Sequence, residues 1–98
     1  MKIYRDFPGA DLVIKGLENL QNGKRTAEAF LVLIGAPRLR RLGIIVPQHL
    51  FRVCPELSLY KLLLKKDNAN AYSLYNSYLR RLISFEHACE QFYYKNTL

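Results

Sequence analysis

A chain of 98 residues, half of them apolar and 23% charged, holds too much hydrophobic material for intrinsic disorder and is the usual size of one folded domain, here residues 1–98. Fifteen Lys and Arg against eight Asp and Glu leave a formal charge of +7, which attracts acidic proteins, nucleic acid or anionic membrane without choosing among them. The longest apolar run, residues 29–36, is far short of the ~20 residues a bilayer span needs, and Asp6, Pro8, Gly9 and Asp11 interrupt what a signal peptide would require, so a cytoplasmic protein with no membrane insertion is expected.

Phe7-Pro8-Gly9 is turn chemistry, and after it Val13, Leu17 and Leu20 recur at helical spacing with Ile14 alongside. That predicts a first helix, with Asp11 complementing its positive end and Gly23 stopping it. Gly16, costly in mid-helix, marks a place where another helix could come close.

Thr26 is placed to cap a second helix, with Glu28 in its first turn. Residues 29–34 are apolar on every side, which puts this helix at the centre of the core. The same run would suit a buried strand paired with Ile44-Ile45-Val46. The opening Thr26-Ala27-Glu28-Ala29 and the stop Gly35-Ala36-Pro37 favour helix.

Pro37 is predicted to begin a short third helix that ends at Gly43, and Pro47 a single turn over residues 48–52. Pro55 opens the next helix, where Leu57, Tyr60 and Leu64 form one stripe, widened by Leu59 and Leu63, and Lys65 and Lys66 close it. Residues 67–70 offer several caps for a final helix. Its seam, Ala71, Tyr75, Tyr78, Leu82, Phe85, Cys89 and Phe92, alternates steps of four and three, with Tyr72, Leu74, Leu79 and Ala88 broadening it. Over residues 71–94 this helix would be about 36 Å long, against a diameter of about 32 Å for a compact domain. It therefore either runs the length of a bundle or projects with Phe92, Tyr93 and Tyr94 exposed for a partner.

The fold expected is all-α, a bundle of four to six helices with Leu31, Ile34, Leu63, Leu79, Leu82 and Phe85 in the core. No spacing compels a chemistry. Cys54 and Cys89 are too few for a disulfide framework. With His49 and His87 they could number four zinc ligands, but His87 and Cys89, two apart on a helix, point about 200° apart. Glu86 and Glu90 form an (i, i+4) carboxylate pair that could raise one pKa or invite a cation; a solvated polar face explains them more simply. There is no phosphate loop, Gly-x-Ser-x-Gly elbow or Cys-x-x-Cys, so neither catalytic residues nor a metal, cofactor or small-molecule ligand can be named.

The most suggestive polar segment is residues 35–43, where Arg38, Arg40 and Arg41 would stand in the first turns of a short helix and attract phosphate or carboxylate. Arg38 and Arg41 should share one flank and Arg40 point elsewhere. With Lys24, Arg25, Arg52, Lys65, Lys66, Arg80 and Arg81 they could form one basic surface, which only folding decides. A helix-turn-helix spanning residues 26–42 fits poorly, its second helix being too short for a major groove. The functional expectation is a non-enzymatic interaction or regulatory protein, a homo-oligomer with Phe92, Tyr93 and Tyr94 at its interface. The alternatives are nucleic-acid binding through the three arginines and an enzyme whose site only the fold assembles.

Overall fold

Thr26 starts the central element of the molecule: its side-chain oxygen accepts from the Ala29 amide at 3.1 Å and its carbonyl from Phe30. In the computed structural model, which describes residues 4–47 and 53–97 with side chains through Tyr93, this helix is α2, Ala27–Arg41. It follows α1, Ala10–Gln21, and precedes α3, Pro55–Lys66, and α4, Ala71–Thr97. A short 3-10 turn, Asn68–Asn70, joins the last two. The fold is all-α, with no strand among the described residues. The turn expected over residues 48–52, with His49 and Arg52, lies outside them.

Helix α2 packs on each of the other three, the central place its all-round apolar surface requires. It does not stop at Gly35-Ala36-Pro37 as expected: Pro37 lies inside it, and the separate third helix is its last turn. An interior proline costs about 3 kcal/mol. Beyond it Leu39 and Leu42 are both buried, each contributing about 1.5–3 kcal/mol, and Pro37 itself faces solvent. Continuing the helix therefore outweighs breaking it. Ile44 and Val46, the imagined strand, are buried on either side of an exposed Ile45 and lie over the end of α2 without pairing.

Gly16 is the close contact between α1 and α2. A methyl there would collide with the Glu28 carbonyl and come within 2.5 Å of Val32 Cγ2. Gly16→Ala should therefore lose about 1–2 kcal/mol, overpacking exceeding the roughly 1 kcal/mol that alanine gains in helix propensity. A lowered denaturant midpoint checks this; a raised one would mean that the helices can separate freely.

In α4 the seam is as read: Ala71, Leu82, Phe85 and Cys89 are buried, and Tyr75, Tyr78 and Phe92 half-buried. Twenty-seven residues span about 40 Å, nearly the 45 Å longest dimension of the molecule, so α4 is its spine. The N-terminal segment covers the far end, where the Tyr4 and Phe7 rings meet Phe92 at 6.3 and 6.1 Å and Phe85 at 6.2 Å each. Three expectations about facing are corrected. Tyr72 does not widen the seam but is largely exposed, because Ala71 and Leu74 are the residues of the first turn that face the core. In α3 the buried residues are Leu59 and Leu63 while Leu57 is exposed, since that helix is apolar on several faces and α2 covers the other one. Ile34 and Leu79 are half-buried at the mouth of a groove between α2 and α4.

Candidate functional site

That groove, about 310 Å³, is apolar except for Glu86, Arg38 and Arg41. Glu86 is buried because α4 crosses α2 at Gly35, where a methyl would stand 2.8 Å from Glu86 Oε2. Arg38, one turn along α2, donates from Nη1 to Glu86 Oε1 at 3.5 Å and from Nη2 to Glu90 Oε2 at 2.8 Å. Burial pushes the Glu86 carboxyl above the usual range, against the pull of Arg38 and Arg41. The Arg38 guanidinium is pushed up by its hydrogen bond to Glu90, burial opposing. The same burial, with Glu86 nearby, raises the Cys89 thiol to about 11, so this cysteine is an inert part of the core.

The three arginines of residues 35–43 thus sit at the C-terminal, negative end of α2 rather than at a helix start. The divided flanks are as expected. Arg38 and Arg41 line the α2–α4 groove, while Arg40 turns away to the Val46 carbonyl at 3.5 Å. Arg40 and Arg41 are exposed; Arg38 is committed to two carboxylates. Arg81 pairs with Asp11 at 2.9 Å. The interface candidates are divided too: Phe92 packs under the N-terminal segment, Tyr93 is exposed, and the side chain of Tyr94 lies outside the described residues. His87 is exposed and Cys89 buried, on opposite sides of α4. No cluster of three metal-ligating side chains occurs among the described residues, and none of their helices is long and apolar enough to cross a membrane.

Two features were not visible in the sequence. On one side of α3, Leu57, Tyr60, Tyr72 and Tyr75 line an almost wholly apolar groove of about 490 Å³, with Glu56 its only charged residue and Cys54 at its edge. Leu57 is 52% exposed and Tyr72 70%, while Tyr60 and Tyr75 meet edge to face at 5.6 Å. Burial raises the Tyr75 hydroxyl pKa, helped by Glu56. On the other side of α3, Lys15, Arg25, Lys65 and Lys66 line one pocket of about 440 Å³ with Glu28 and Tyr78. No family model, curated protein or solved structure matches this chain.

Proposed function

We propose that this protein is a non-enzymatic interaction protein of the cytoplasm that self-associates through the aromatic groove between α3 and α4. The observation that carries the reading is that exposed Leu57 and Tyr72 stand in the same patch as the Tyr60–Tyr75 cleft. A two-fold interface needs one patch to offer both the protrusion and the recess. Tyrosine is favoured in such interfaces. The patch also has no cation, so the +7 charge of each copy is carried elsewhere and opposes pairing weakly once salt screens it. Tyr72→Glu with Leu57→Glu, both at exposed positions, should convert a dimer to a monomer in light scattering with thermal stability retained. A wild-type chain that stays monomeric at high concentration would sink the reading.

A second reading, nucleic-acid binding through phosphates, is supported by the exposure of Arg40 and Arg41 at the end of α2, with Arg38 contributing less because it holds Glu86 and Glu90. It requires duplex affinity that falls steeply with salt. Binding unaltered by Arg40→Glu with Arg41→Glu would dismiss it.

A further inference from the structure

Four cations from three separate parts of the chain converge on one pocket. Lys15 comes from α1, Arg25 from the turn before α2, and Lys65 and Lys66 from the end of α3. One acid, Glu28, lines the same pocket and is already engaged by Lys15 at 3.7 Å, which leaves the two lysines at the end of α3 as a surplus of two charges. Lys65 and Lys66 have no carboxylate partner among the described residues. The start of α2 forms part of the wall. Thr26 satisfies the Ala29 amide, while the Ala27 and Glu28 amides have no acceptor among the described residues. Those amides and the helix dipole add to the positive field of the cations. The remaining wall includes Leu62 and Tyr78, an apolar side next to a charged one.

We propose that this pocket binds a phosphate monoester, the phosphate lying among Lys15, Arg25, Lys65 and Lys66 and its organic substituent against Leu62 and Tyr78. A phosphate monoester carries about −1.5 to −2 charges on three acceptor oxygens near neutral pH, which matches the surplus of the two lysines; a single carboxylate would leave half of it unbalanced. The pocket volume is within the roughly 300–1,000 Å³ of small-molecule sites. The cations gather round one cavity, which favours a compact anion over a polyanion. The site is independent of the aromatic groove: Tyr60 and Leu62 point about 200° apart on α3, so damage to one leaves the other intact.

The test is calorimetric titration of the full chain at constant ionic strength with phenyl phosphate, inorganic phosphate, benzoate and a single-stranded oligonucleotide. Phenyl phosphate should bind saturably and more tightly than inorganic phosphate or benzoate. Lys65→Gln with Lys66→Gln should weaken it by about tenfold or more, the loss expected for charge-assisted hydrogen bonds. Arg80→Gln, exposed and outside the pocket, should leave it unchanged. In the wild-type chain, phenyl phosphate should shift the Ala27 and Glu28 amide resonances, a readout that needs no variant to fold. Equal binding of benzoate, binding indifferent to the lysine pair, amide shifts centred elsewhere, or binding of the oligonucleotide alone would each overturn the assignment.

Discussion

Phe85→Ala should lower the stability of the fold by about 3–5 kcal/mol, the range for deleting a buried aromatic ring. Phe85 is fully buried, and the rings of Tyr4 and Phe7 stand at 6.2 Å from it. The truncation removes the ring's own burial, opens a cavity beneath α4 and withdraws two aromatic contacts, worth about 0.5–1.5 kcal/mol each beyond their area. Against a total of about 5–15 kcal/mol for a domain, that is a large fraction. The denaturant midpoint should fall while the slope stays constant. Leu82→Ala, one turn earlier on the same seam, should cost about 2–5 kcal/mol. If Phe85→Ala left the midpoint in place, the seam of α4 would not be the face that the fold buries.

That seam could be read from sequence because a period of 3.6 persists over six turns, and only one face of such a helix is continuously apolar. Helix α3 was less legible for the opposite reason. Leu57, Leu59, Tyr60, Leu62, Leu63 and Leu64 surround most of its circumference, so its own pattern cannot say that Leu59 and Leu63 turn inward and Leu57 out. Pro37 misled because its local cost is visible in the sequence while the burial of Leu39 and Leu42 that outweighs it is tertiary. Glu86 was assigned to a polar face, yet it lies four residues after Leu82 and three before Cys89, at the margin of the buried stripe. The signal that could have found it is Gly35, a residue small enough for a carboxylate to lie against its helix. The cationic pocket had no local signal, since Lys15, Arg25 and the Lys65–Lys66 pair are brought together only by packing.

Glu86 also supports the second large expectation. Arg38→Ala should cost about 2–3 kcal/mol near neutral pH, below the roughly 3–5 kcal/mol for breaking a fully buried ion pair. The reduction is warranted because the Arg38 side chain is 35% exposed and already screened by water, and its contact to Glu86 is a long 3.5 Å. The contact to Glu90 is shorter, but Glu90 is exposed enough that its share should be below about 1 kcal/mol. Among the described residues, removing Arg38 leaves Arg41 as the cation acting on Glu86, with the neutral thiol of Cys89 nearby. The sign of the pH dependence follows from burial. The folded carboxyl holds its proton to higher pH than the unfolded one, so its ionisation draws on stability as pH rises from the ordinary carboxylate range through the raised folded value. The penalty of Arg38→Ala should therefore shrink on acidification, as Glu86 becomes neutral and no longer needs a cation. Glu86→Gln should gain on the wild type as pH rises through the same window and lose that advantage below it. In the Glu86→Gln background Arg38→Ala should cost only the Glu90 share, a coupling that a double-mutant cycle isolates. An Arg38→Ala penalty equal at about pH 4 and about pH 7, on either side of the ordinary carboxylate range's upper edge, would mean that the carboxylate is not the group that Arg38 stabilises.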